Sequence, residues 1–217
     1  MARKLIHQKT WLHPSLWMAA RGQPCRLDQC GAACCVGGIW IDVGHVQTIL
    51  DVATQVAAHM DADRRDPGQW FTDEVVEHCD FPSGIATATA VRPRPGQPDR
   101  PGCVFVRADH TCALQVAGHS LGLGWPGLKP FDCATFPVLM SEGSLRWDRQ
   151  SASRAHGADC QIPRPREPAL PDQPPFFRVF RREIELAIGR AGYATLDCAQ
   201  LRRRAKKPTK SQNPTEL

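Results

Sequence analysis

Four cysteines within eleven residues, Cys25, Cys30, Cys34 and Cys35 in the stretch CRLDQCGAACC, constrain this chain more than any other feature. Gly31, Ala32 and Ala33 bring almost no apolar bulk, so the segment cannot hold itself in place by core burial. Small residues do let a backbone wrap closely around whatever the sulfurs hold. Thiolates bind soft or borderline metal ions, and four from one short loop make metal the first expectation. A second set, Cys103, Cys112, Cys133 and Cys160, lies downstream.

The spacing bears on which metal. The loop reads C-x4-C-x3-C-C, unlike the paired C-x2-C knuckles of common structural zinc sites. Neighbouring side chains such as those of Cys34 and Cys35 point apart, so one tetrahedral ion does not readily take both. An iron–sulfur cluster relaxes that geometry, because its ligands attach to different iron atoms. Two four-coordinate zinc ions would equally account for eight thiolates. Iron–sulfur and zinc both stay open, with the irregular spacing and the vicinal pair leaning toward iron–sulfur. His110 and His119 lie near Cys112, and His156 near Cys160, without forming a clear part of either group. Cys79 and Cys198 fall on expected helices among apolar neighbours and read as small buried hydrophobes.

Ten cysteines could also mean five disulfides, and the redox compartment decides between the readings. Residues 1–22 contain no run of seven or more apolar residues ahead of a small-residue cleavage site, so no secretory leader is expected. No stretch reaches the roughly 18 consecutive apolar residues of a membrane span. The expectation is a cytoplasmic protein with reduced thiols and no membrane partner.

The formal net charge of +5 sits entirely in residues 201–217, which carry six Lys or Arg and one Glu. The rest of the chain is neutral, so the body gives no charge argument for nucleic acid. Arg202, Arg203, Arg204, Lys206 and Lys207 could touch it, but a solvated tail is the plainer reading.

Along the chain, residues 1–21 read as an N-terminal packing arm, 22–200 as one cysteine-cluster metal-binding domain, and 201–217 as a basic, disordered tail. GGIWID (37–42) is a short strand, and Asp42 caps a helix over 45–60, where Val46, Ile49, Leu50, Ala53, Val56, Ala57 and Met60 recur at helical spacing. A second helix is expected over 69–79 and a strand over 84–91. RPRPGQPDRPG (92–102) reads as a loop and 103–114 as a hairpin: an apolar strand, a turn around Ala108–His110, then a second strand or helix start. LGLGWPGLKP (121–130) is irregular, and 131–148 forms a turn at Cys133 and two strands about a tight SEGS turn. After a proline-rich connector at 162–175, a helix over 176–196 buries Phe177, Phe180, Ile184, Ala187, Ile188 and Ala191, and a short helix holds Cys198. The fold class is therefore α+β: a single small mixed domain with long irregular, cysteine-rich loops organised around a metal centre.

Three blocks in order, CRLDQCGAACC, CVFVRADHTCAL and KPFDCATFP, resemble the YkgJ-like cysteine-cluster proteins, a family of zinc- or iron-chelating domains. The resemblance spans roughly residues 20–160, with Cys160 as a late ligand; the loop's C-x4-C departs from the C-x2-C common in that family. It implies metal chelation by Cys25, Cys30, Cys34, Cys35, Cys103, Cys112, Cys133 and Cys160, with no assigned reaction. Some relatives carry such a cluster in enzymes that methylate lysines of a surface protein. A metal-dependent protein-modifying enzyme is thus the alternative reading. No other chemistry competes: LGLGWPG lacks the Lys-Ser/Thr of a phosphate loop, and neither Ser83 nor Ser120 sits in a G-x-S-x-G elbow.

Overall fold

The computed structural model describes residues 10–20, 24, 26, 32, 35, 37–148 and 173–205. They form an α+β fold with two hydrophobic clusters.

The first cluster gathers the two ends of the described chain. Strand β1 (Trp11–Leu12) lies parallel to β8 (Ser144–Trp147), which is hairpinned to β7 (Val138–Ser141), in the order β1-β8-β7. The expected SEGS turn is present: Glu142 and Gly143 both take positive φ, 52° and 69°, as a two-residue hairpin turn with native twist requires. Helices α5 (Phe176–Val179) and α6 (Arg181–Ala205) cover this sheet. Phe176, Phe177, Phe180 and Ile184 are fully buried against Leu16, Leu145 and Trp147. Within α6, Gly189 takes φ 75° and ψ 165°, which breaks the helix into two segments. Ala191, expected on the apolar stripe, lies beyond that break and is exposed.

The second cluster is built on sheet β2-β4-β3, all antiparallel, from β2 (Trp40–Asp42), β4 (Ile85–Thr89) and β3 (Phe71–Glu77). Asp42 caps the next helix as expected, its Oδ1 accepting from the Gly44 amide at 2.8 Å and its Oδ2 from the Ser83 amide at 2.9 Å. The helix expected over 45–60 is two pieces, α1 (Val43–Leu50) and α2 (Ala53–Ala57), yet they keep one apolar face: Ile49, Val56 and Met60 are buried. Helix α3 (Ala113–Ser120) packs on α2, and Trp70, Phe105, Leu114 and Leu128 complete the core.

Four expectations are corrected. Residues 71–77 form a strand and not a helix: Thr72, Val75 and Val76 are β-branched and find a partner in β4. The proline-rich stretch 92–102 is no loop but a ribbon of β5 (Val91–Arg94) and β6 (Gln97–Cys103), with Pro93 opposite Pro101. Two-stranded ribbons are all edge, where a residue without an N–H is tolerated. Cys79 and Cys198 are exposed, not buried, Cys79 in the turn after β3. Helix α6 runs through Cys198 to Ala205, so the first residues assigned to a disordered tail are helical, while 206–217 lie outside the described residues.

Helix α4 (Phe131–Thr135) links the two halves, touching α6 and β7 of the first and β2 of the second. Among the described residues no helix is long and apolar enough to cross a membrane.

Candidate metal centre

Ribbon β5-β6 delivers Cys103 at its end, paired with Val91. Beyond it the chain turns sharply, the Val106 amide donating to the Cys103 carbonyl at 3.0 Å. Val106 then bridges Cys112, and the Ala113 amide donates to Phe105 at 2.8 Å, so Cys103 and Cys112 flank the buried Phe105 and pack on the second core. The loop between them is closed by Asp109, which accepts from the Thr111 amide at 3.0 Å and hydroxyl at 2.6 Å and pairs with Arg107 at 3.0 Å. Slight burial works against the Asp109 carboxylate, but the Thr111 bonds and the Arg107 charge outweigh it and hold its pKa below the ordinary value. Cys133 lies in the middle of α4, and that helix packs on β2, the strand that follows the cysteine loop.

One contact reaches the loop itself. The Cys103 amide donates to the Cys35 carbonyl at 3.2 Å, which lays the end of the first cysteine group on the start of the second. The approach needs Gly102, because a side chain there would meet Arg94 Cγ at 2.8 Å and the Cys35 carbonyl at 3.3 Å. The Cys103 thiol also donates to Thr89 Oγ1 at 3.4 Å. Thr89 is buried, and the same oxygen accepts from the Ile39 amide at 2.9 Å. Its own O–H is a donor that can serve a Cys103 thiolate once the sulfur is deprotonated.

Of the eight expected ligands, Cys35, Cys103, Cys112 and Cys133 are thus placed, while Cys25, Cys30, Cys34 and Cys160 lie outside the described residues. Among the described residues no three His, Cys, Asp or Glu side chains converge tightly enough to hold a metal ion. His110, at φ 61°, belongs to the loop that Asp109 closes, and His119 is exposed at the end of α3.

Two buried arginines, which the sequence reading missed, border the same ribbon. Arg94 donates from Nε to the Pro101 carbonyl at 3.1 Å and from Nη2 to the Ala32 carbonyl, inside the cysteine loop, at 2.8 Å. Arg64 donates to the carbonyls of Val104 at 3.4 Å, Val106 at 3.3 Å and Pro93. An isolated arginine gives no signal of burial in a sequence; only the ribbon, read as a loop, could have placed Arg94.

A cavity of about 140 Å³ opens at the start of α4, where Phe131 and Asp132 share a wall with His78, Asp80 and Met140. The His78 ring stacks on Phe81 at 4.2 Å, and its Nδ1 is buried without a partner among the described residues. Cys133, the residue after Asp132, does not line this cavity.

Compared with protein-family models, curated proteins and solved structures, the chain matches none of them.

Proposed function

We propose that this is a cysteine-cluster metal-binding protein of the cytoplasm, holding an iron–sulfur cluster or zinc. The observation that carries the reading is the Cys103–Cys35 backbone bond, which joins two cysteine groups far apart in sequence. The ligand set would be drawn from Cys25, Cys30, Cys34, Cys35, Cys103, Cys112, Cys133 and Cys160. Gly102 lets the Cys35 carbonyl of the loop come close to the ribbon. A bound zinc would brace these segments, whereas a cluster would add electron transfer. Thr89 orients the Cys103 sulfur, and the second core supplies a rigid wall behind Cys103 and Cys112.

Anaerobic purification followed by metal and sulfide analysis and an optical spectrum tests this reading. Stoichiometric iron and sulfide with brown charge-transfer absorption identify a cluster; a colourless protein with stoichiometric zinc identifies the other cargo. A freshly purified, reduced chain holding neither, and taking up neither on reconstitution, overturns it.

The cavity at α4 favours a second reading, a metal-dependent protein-modifying enzyme, because it places a small-ligand space next to the helix that carries Cys133. Filling that space with Ser141→Trp would abolish turnover of a modified substrate without changing metal content. An unchanged rate would rule the cavity out as the site of reaction.

A further inference from the structure

The turn that leaves β3 builds one wall of the cavity at α4, and backbone bonds fasten it. The His78 amide donates to the Gly84 carbonyl at 2.8 Å, the Phe81 amide to the His78 carbonyl at 3.1 Å, and the Gly84 amide to the Phe81 carbonyl at 3.0 Å. Gly84, at φ 75°, makes the return possible, and the Ser83 amide is tied to the Asp42 carboxylate at 2.9 Å. Phe81 is thereby held at 6% exposure, although it belongs to neither hydrophobic cluster. Its company is the His78 ring and the cavity. The facing wall comes from the first half, Leu139–Ser141 of β7 and Ala187 of α6, with the start of α4 between them. The space thus lies where the two halves meet, between walls that are already in place.

The chemistry of these walls is one-sided. Two lining side chains are carboxylates, Asp80 and Asp132, and none is a lysine or arginine. Asp80 is only partly exposed, and its carboxylate makes no hydrogen bond or ion pair among the described residues. A carboxylate drawn part-way out of water without a partner favours a cation beside it. Most of the remaining lining, including Phe81, Phe131 and Met140, is apolar; it suits a hydrocarbon body, and aromatic rings also attract cations. A bare metal ion fits poorly, since among the described residues no three His, Cys, Asp or Glu side chains converge on one. Nor are Ser141 and His78 arranged as nucleophile and base: no hydrogen bond joins them, and His78 Nδ1 has no partner among the described residues to orient the ring. At about 140 Å³ the space is close to the roughly 150 Å³ cavity that holds one benzene. We propose that this cavity binds a small organic ammonium ion, with Asp80 pairing the charged nitrogen and Phe81 and Met140 receiving a short hydrocarbon body. Binding there requires neither a metal nor turnover, so the site goes beyond both functions proposed above.

The test uses the full chain and three probes of matched size that differ in charge: n-butylammonium, 1-butanol and butyrate. Each is titrated at neutral pH and constant ionic strength, with amide chemical shifts as the readout. The parent chain is expected to bind n-butylammonium at least about tenfold more tightly than 1-butanol, and butyrate more weakly than either. The shifts should centre on residues 78–84 and 139–141. D80N should bring n-butylammonium down to the affinity of 1-butanol while leaving 1-butanol unchanged. D73N, which removes the same charge from an exposed position on β3, should match the parent. Equal affinities for n-butylammonium and 1-butanol, a preference for butyrate, or shifts that do not saturate or that fall elsewhere overturn the proposal. A folded D80N that keeps the parental preference overturns it as well. Should D80N fail to fold, the comparison of the three probes in the parent carries the test alone. Metal content is measured separately, so failure here leaves the metal-binding reading standing.

Discussion

The two hydrophobic clusters are of similar make-up but are finished differently at their margins. The first is closed by apolar contact: Trp147 stacks on Phe176 at 4.9 Å, Phe180 packs tilted against Phe176 at 4.7 Å, and Phe177 packs on Tyr193. None of its members among the described residues is a cysteine. The second has a comparable centre in Trp70, Phe105, Ile49 and Leu114, but its edge is Cys103, Cys112, a ribbon full of prolines and two buried arginines. Burial alone fixes the first, because aromatic rings remove large areas from water. At the second edge, Gly, Pro and Ala offer little area, so hydrogen bonds to Arg64 and Arg94, and by our proposal a metal, do the fixing.

Removing the metal should separate the halves most sharply. Structural zinc sites return on the order of 10 kcal/mol, enough to order loops whose backbone costs roughly 1–2 kcal/mol per residue. Stripping it, or Cys133→Ser, should raise hydrogen exchange across 35–38 and 100–137 while leaving most of the helical signal and the protection of 176–196. Native protection at 100–137 in the stripped protein would mean that the scaffold is rigid without its cargo. The converse perturbation is Phe176→Ala, expected to cost about 3–5 kcal/mol in denaturant unfolding through the cavity left between Trp147 and Phe180. Metal uptake by the folded fraction should survive; a loss of uptake with the fold intact would show the two margins to be coupled through α4.

Smaller effects sharpen the contrast within the second half. Asp42→Ala removes acceptors from both Gly44 and Ser83 and should lower stability by about 1–2 kcal/mol in urea titration. An unchanged midpoint would show that neither bond matters. The smallest effect concerns Asp109. Because its folded pKa lies below the unfolded one, its contribution is fully present above the ordinary carboxylate value and is lost as pH falls through the folded pKa. Its side chain is half exposed, so the loss is local. Amide exchange at Arg107–Thr111, compared with Asp109→Asn between about pH 5 and 3, should converge on the variant at the acid end. Parallel profiles would remove Asp109 from the account.

Much of this could be read from the chain. Asp42 as a cap, the Ile49–Val56–Met60 face, the Glu142–Gly143 turn and the Phe177–Ile184 stripe are local signals, and the structure keeps them. What failed depended on partners. Phe71–Glu77 has β-branched residues, but only β4 beside it makes a strand of it. Prolines 93, 98 and 101 signalled a loop, since nothing local announces that two such segments face each other. Cysteine spacing marked out the candidate ligands, and of these a backbone bond brings Cys35 and Cys103 together. Arg64, Arg94 and Thr89 were invisible because their bonds come from burial against segments distant in sequence.

The parallel pairing of Trp11–Leu12 with Ser144–Leu145, and the bridge from Ala19 to Pro175, have a consequence for the order of events at the ribosome. The second cluster draws on residues 41–128 and can consolidate as soon as that span has emerged. The first cannot, since Leu16 leaves the exit tunnel long before its partners Phe176, Phe177 and Phe180. Nascent chains stalled before residue 170 should therefore hold a protease-resistant 41–128 and a cleavable Trp11–Trp17; resistance at both would show an early substitute partner. At about 5–20 residues per second, Leu16 waits roughly 8–30 s for its core. Through that interval Trp11, Leu12, Leu16 and Trp17 are sticky, open to whatever chaperone reaches them first.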